Sequence, residues 1–179
     1  MSKPYIFHHR QHKLELKFRV SHTGFECPFR APVVLIHTHK GESDFTRSPY
    51  WMQCPRLIKE IHQIESSGWI RILEDWINGP AKRLWDKFII RVPKLLKSCL
   101  DADYAKSLEQ ENRLNIGGVV NPYSIKCLHA HHSFWLVHKE GLVGQFVDGL
   151  LLLRARKKSL SDYWCQNSNE LECGSGGSI

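Results

Sequence analysis

Residues 125–132 read Ile-Lys-Cys-Leu-His-Ala-His-His and place one thiol and three imidazoles within six residues. Cysteine and histidine are the side chains that bind zinc and related metals and that perform nucleophilic or acid–base chemistry near neutral pH. A segment this rich in both predicts a metal or thiol site. We therefore expect the rest of the chain to fold around this segment and to supply the remaining groups of the site.

The segment is predicted to lie in the first turns of a helix that reaches about His138. Residues four apart share one face of a helix, so Cys127 and His131 can bind one ion. His129 lies about 200° from Cys127 on a regular helix, so it joins them only if the first turn is irregular. We interpret His129 and Glu65 as the candidates for a catalytic general base.

Three more cysteines can join this site. Two stand in Cys-Pro pairs at residues 27–28 and 54–55, and the third lies near the end of the sequence. Thiols at turns and helix starts can converge on one tetrahedral centre. The predicted metal ligands are Cys27, Cys54, Cys127, His131 and Cys165. Zinc is the predicted cofactor because an imidazole stands beside the thiols. An iron–sulfur cluster and a set of unrelated thiols are the alternatives.

The N-terminal part of the chain contains two strand patterns. Apolar and polar residues alternate over residues 14–20, and residues 33–36 form a short β-branched run. His37 and His39 alternate at the end of the second run, where a solvated sheet edge is predicted; the alternative is that they line the site. These patterns together predict a β-hairpin.

The rest of the chain has helical spacing of apolar residues, beginning at Leu57. This pattern is interrupted at Gly68, at Gly79-Pro80 and at Pro93. A last helix is predicted over residues 143–156. The fold class is therefore α+β and mostly helical: a short N-terminal β-hairpin packs on a bundle of about five helices, with the Cys/His metal site between them.

The chain is predicted to form one domain with two polar ends. Residues 1–13 are interpreted as a basic mobile N-terminal arm, residues 14–164 as a single compact domain, and residues 165–179 as a polar C-terminal tail. A chain of 179 residues is long enough to bury a hydrophobic core without crosslinks.

The formal charge of +7 favours an acidic partner, which can be a protein, a nucleic acid or a phosphorylated ligand. The basic run that includes Arg154, Arg156, Lys157 and Lys158 is its expected binding face. No apolar stretch is long enough to predict a membrane span, and the first 13 residues contain no apolar core of a signal peptide. A cytoplasmic location is therefore expected, where clustered cysteines are more often ligands or catalysts than disulfides.

Several segments together resemble the bacterial family known as domain of unknown function 501. They are Cys27-Pro28-Phe29, residues 31–34, residues 50–55, residues 64–68, residues 115–118, residues 125–131 and Val143-Gly144. The resemblance implies a compact bacterial cytosolic domain with a Cys/His site and no established reaction. Ser133-Phe134 departs from the family, in which a further Ala-His pair is common here. A late cysteine is also common in the family, which supports Cys165 as a ligand.

These observations favour a metal-stabilised binding or regulatory module, whose structural metal has four ligands and no open position. A metal-dependent hydrolase or a Cys/His thiol enzyme is the alternative. A nucleic-acid-binding protein or an iron–sulfur redox sensor is a further alternative. The sequence contains no HExxH motif, no nucleophile elbow and no phosphate-binding glycine loop.

Overall fold

The computed structural model describes residues 5–9, 14–18, 20–27, 32–38 and 48–154. Its strands are β1 (Tyr5–His9), β2 (Leu14–Phe18), β3 (Val20–Glu26), β4 (Pro32–His37) and β5 (Tyr50–Met52). Strands β1 and β2 form an antiparallel pair, and β3, β4 and β5 form an antiparallel sheet in that order. Both predicted strands are present. Strand β1 lies within the segment predicted as an arm.

Strand β4 is the central strand of the three-stranded sheet and lies in the core. Its residues Val33, Val34, Leu35 and Ile36 are all buried. Both faces of this strand are covered, so apolar residues need not alternate with polar ones, which explains its continuous aliphatic run.

Seven α-helices follow in the described residues. They are α1 (Pro55–Ser66), α2 (Trp69–Asn78), α3 (Lys82–Ile89), α4 (Val92–Lys97), α5 (Ala102–Gln110), α6 (Leu128–His138) and α7 (Leu142–Arg154). Gly68 separates α1 from α2 with a φ of 84°, a left-handed conformation that favours glycine. Gly79 caps the end of α2, and Pro93 lies in the first turn of α4. The predicted α+β fold, mostly helical with an antiparallel sheet, is confirmed.

Helix α6 is the central helix of the fold. It contacts the three-stranded sheet, α1 and α7. Both polar and apolar residues of α6 are buried, including His131, His132, Ser133 and Phe134. A helix that is surrounded by other elements has no solvent face. This arrangement explains why imidazoles, rather than only aliphatic side chains, lie in the core.

Helices α6 and α7 approach each other closely at Gly144. A Cβ atom at this position would lie 2.5 Å from the Cβ of Trp135 and nearer still to the backbone oxygen of His131. Only glycine allows this separation between the two helices. In the part of the chain that the structure describes, no helix combines the length and the apolar character needed to cross a membrane.

Candidate functional site

The loop before α6 is held by side chains of α2 and α3. The Glu74 carboxylate accepts hydrogen bonds from the Ile125 amide at 2.6 Å and from the Ser124 hydroxyl at 3.1 Å. The indole N–H of Trp85 donates to the backbone oxygen of Pro122 at 3.1 Å. These contacts determine where the chain enters α6, and therefore where Cys127 lies.

Cys127 is the N-cap residue of α6, and its backbone is extended, with φ −159° and ψ 150°. Its side chain makes no capping hydrogen bond. The Oε1 atom of Glu65, on α1, instead accepts the hydrogen bond of the Leu128 amide at 2.6 Å. A carboxylate from another helix thus satisfies a free amide at the start of α6 and benefits from the positive end of the helix dipole.

His129 is held by two acceptors, one at each ring nitrogen. Its Nδ1 lies 3.1 Å from Oε1 of Glu65, and its Nε2 lies 3.1 Å from the backbone oxygen of Ile58. A carboxylate and a carbonyl can only accept, so each ring nitrogen donates a proton. In this geometry His129 is an imidazolium ion paired with Glu65. The two side chains are mostly buried, with 22% and 15% of their surface exposed.

The pKa values of this pair follow from the contacts. Burial opposes the charged form of His129, but hydrogen bonds to Cys127 and Glu65 and the charge of Glu65 raise its pKa to about 10. Burial acts to raise the pKa of Glu65, but the hydrogen bond and charge of His129 outweigh it and hold that pKa below its usual value. The pair is therefore charged around neutral pH.

Cys127 completes a group of three potential metal ligands with this pair. One ligand atom from each of Glu65, Cys127 and His129 lies within 4.8 Å of the other two. Within the described ranges no other group of three or more histidine, cysteine, aspartate or glutamate side chains meets this criterion. Both residues predicted as general-base candidates, Glu65 and His129, therefore lie beside the thiol of Cys127.

The other predicted ligands are not members of this group. Cys27 is half-buried just after β3, and Cys54 is buried at the N-cap of α1. His131 is buried beside the ring of Trp85, and burial lowers its pKa to about 4. Cys165 lies outside the described residues. The five-residue ligand set as a whole stays a prediction.

The position of the helix start explains this difference. The i, i+4 relation between Cys127 and His131 requires that both residues be helical. Helix α6 begins one residue after Cys127, so the thiol is not aligned with the later turns. This irregular start brings His129, two residues on, next to Cys127.

The remaining histidines of α6 have structural partners. His132 is fully buried, and its Nε2 lies 3.2 Å from Oδ1 of Asp148 on α7. The hydroxyl of Tyr50 lies 2.6 Å from Nε2 of His138. These contacts join α6 to α7 and to the sheet, so they support the helix that carries the site.

Comparison with known proteins gives one match. A family model described as a protein of unknown function, DUF501, matches residues 23–149. The matched range contains Glu65, Cys127 and His129, whereas Cys165 lies beyond it. No curated protein and no solved structure matches the chain.

Proposed function

This chain belongs to the DUF501 family of proteins of unknown function, and we propose that it is a metal-dependent protein that binds one zinc ion through Glu65, Cys127 and His129. Carboxylate oxygen, thiolate sulfur and imidazole nitrogen are all ordinary zinc ligands. The three groups come from α1, from the start of α6 and from its first turn, so a bound ion would join two helices.

The contact between His129 and Ile58 is the observation that carries this proposal. Metal-binding histidines commonly donate their second ring N–H to a backbone carbonyl or a carboxylate, which orients the ring. The Nε2 of His129 has such a carbonyl at 3.1 Å, and its Nδ1 faces Glu65. The proton on Nδ1 occupies the position that a cation would take, so zinc binding would release it.

Three protein ligands leave a coordination position for water. This number is typical of catalytic zinc sites, whereas structural sites have four protein ligands. We therefore favour a metal-dependent hydrolase over a purely structural metal. Zinc bound at such a site supplies an activated water molecule. Glu65, Cys127 and His129 would then hold the ion, and the backbone groups of Leu128 and Ile58 would orient Glu65 and His129.

We also propose that the protein acts in the bacterial cytosol. Among the described residues, Cys27, Cys54, Cys99 and Cys127 form no disulfide bond. Cysteines without disulfide bonds suit a compartment that keeps cysteine reduced. An acidic partner remains part of the proposal because the chain has a formal charge of +7.

Titration of metal-free protein with zinc tests the proposal. We expect one equivalent to bind, with the release of a proton near neutral pH, and cobalt to give a sulfur-to-metal charge-transfer band. Cys127→Ser, His129→Gln and Glu65→Gln should each weaken binding about 100-fold or more, since loss of an outer-shell contact alone costs about 10- to 100-fold. A competing chelator measures these affinities.

Two variants serve as matched controls. Cys99→Ser and His62→Gln replace the same residue types outside the group, and both should bind zinc like the wild type.

Cys27→Ser and Cys54→Ser test the larger predicted ligand set, because both residues belong to that set and not to the group of Glu65, Cys127 and His129. If these two variants lose zinc while Glu65→Gln retains it, the three-residue site is wrong.

A second candidate function is a thiol enzyme, favoured by the position of Cys127 at the start of α6 beside the imidazolium of His129. Helix N-termini and positively charged histidines are the surroundings of nucleophilic cysteines. We then expect iodoacetamide to modify Cys127 about 10-fold faster than Cys99, and His129→Gln to abolish the difference. Mass spectrometry of the alkylated peptides measures both rates. Equal rates in the wild type would exclude this function.

A further inference from the structure

Helices α3 and α4 form the most strongly basic part of the described chain surface. Residues 82–97 contain six lysine or arginine residues and a single carboxylate, Asp86. All six cations are exposed. We define the basic face as the four residues Arg83, Lys87, Ile90 and Lys94.

The helical period places these four residues on one side. Trp85, Phe88, Val92 and Leu96 recur at intervals of three or four residues and are buried. Between α3 and α4 the backbone of Ile90 and Arg91 stays in the right-handed helical region, so the period continues across the break. The basic face therefore lies opposite the buried side and points to solvent.

The ion pairs of this region leave the centre of the basic face uncompensated. Lys82 pairs with Asp86 at 3.0 Å, Arg91 with Glu140 at 2.9 Å, and Lys97 with Glu109 at 2.9 Å; all three cations lie around the face. Its own three cations, at positions 83, 87 and 94, have no ion-pair partner among the residues that the structure describes. These exposed cations are therefore available to attract a partner of negative charge.

Exposed apolar side chains lie among these cations. Ile90, in the middle of the basic face, is 78% exposed, and Leu84 at its side is 57% exposed. Phosphate groups of a nucleic acid gain nothing from contact with an isoleucine, and the basic face has no aromatic ring and only one arginine, Arg83, on which a base could stack. The boundary between headgroups and acyl chains accepts both cations and aliphatic side chains.

We propose that the basic face of α3 and α4 binds the surface of an anionic lipid bilayer. Clusters of lysine and arginine on a helix are a recognised feature of binding to acidic lipids. The protein would lie on the membrane without crossing it. This inference goes beyond the proposed metal site and does not depend on it, because no residue of the basic face belongs to the group of Glu65, Cys127 and His129.

The basic face of α3 and α4 is not the basic run that the sequence predicted as the binding face. In that run, residues 156–158 lie outside the described residues. Arg154 donates a hydrogen bond to the side-chain oxygen of Gln63 and lies 3.7 Å from the carboxylate of Glu60, so its charge is already compensated. A cluster of exposed cations without an ion pair among the described residues thus lies on α3 and α4, and not at Arg154.

Sedimentation of the full chain with lipid vesicles tests this proposal. We expect binding to vesicles of phosphatidylglycerol and phosphatidylcholine, no binding to phosphatidylcholine alone, and weaker binding as salt rises. The triple variant Arg83→Gln, Lys87→Gln, Lys94→Gln should lose about 100-fold in affinity, at roughly fivefold per cation. Ile90→Asn should also weaken binding, although it leaves the net charge unchanged.

The matched control removes the same charge from other helices. The triple variant Lys59→Gln, Arg71→Gln, Lys106→Gln changes three exposed cations of α1, α2 and α5 and should bind nearly as well as the wild type. Equal losses in the two triple variants would show that net charge alone causes binding and would overturn the proposal. Binding to duplex or single-stranded nucleic acid in the absence of vesicle binding would overturn it as well. Urea unfolding of each variant verifies that all are folded.

Discussion

Replacing Gly144 with alanine is expected to lower the free energy of unfolding by about 3 kcal/mol or more. The new methyl group would overlap the backbone of His131 and lie 2.5 Å from the Cβ of Trp135. Neither atom belongs to the flexible end of a side chain, so α6 and α7 would have to move apart. Their shared core, which includes Phe134 and Val147, would then lose contact.

Gly149 on the same helix provides the control. A Cβ atom at Gly149 would have no heavy atom within 4 Å apart from its chain neighbours and the backbone of α7 itself. Alanine favours the helix over glycine, so Gly149→Ala should raise the free energy of unfolding by about 0.5 to 1 kcal/mol. Urea denaturation of both variants measures the difference. Two variants of equal stability would show that α6 and α7 are not packed as closely as the structure indicates.

The metal-free protein is expected to lose stability steeply as the pH falls from 6.5 to 4. Burial lowers the pKa of His37 and of His131 to about 4. Between pH 4 and pH 6.5 the unfolded chain binds a proton at each of these histidines and the folded chain does not. The contribution of these two neutral histidines to the free energy of unfolding is therefore complete above pH 6.5 and decreases as the pH falls. Two such groups give a slope of about 2.7 kcal/mol per pH unit.

His129 should produce the opposite slope at higher pH. Its pKa is raised to about 10 in the folded protein, so its contribution is complete below pH 6.5 and is lost as pH rises toward 10. Stability from these groups is therefore greatest near pH 6.5. Urea unfolding at a series of pH values measures both sides of this maximum.

Three variants identify which histidine causes each of the two slopes of stability against pH. His131→Gln should reduce the acid slope by about 1.4 kcal/mol per pH unit, and His129→Gln should remove the alkaline decrease. His62→Gln, on the exposed side of α1, should change neither slope. If His131→Gln retains the full acid slope, the buried imidazole is not the group that takes up the proton.

The buried position of His37 shows what a local pattern omits. Its place at the end of β4 predicted a solvated sheet edge, yet it is buried and its ring lies 5.6 Å from that of Trp51. Whether the end of a strand is covered depends on a neighbouring strand, here β5. A pattern of alternating residues carries no information on that neighbour.

The sequence by itself determined the central strand of the sheet and most of the helices of this protein. The β-branched run of β4, the breaks at Gly68, Gly79 and Pro93, and the helical spacing between them depend on local conformational preferences, which each short segment expresses independently. The same segments identified the family, and residues 125–132 identified the region of the site.

Only the tertiary structure decided which groups meet there. Glu65 and Cys127 are 62 residues apart, and they come together because the carboxylate of α1 caps α6 at Leu128. That contact depends on where α6 begins and on how α1 packs against it, and neither is expressed in the spacing of cysteines and histidines. A helix that begins one residue after Cys127 selects His129 as its neighbour and leaves His131 in the core, because the i, i+4 relation holds only within a helix.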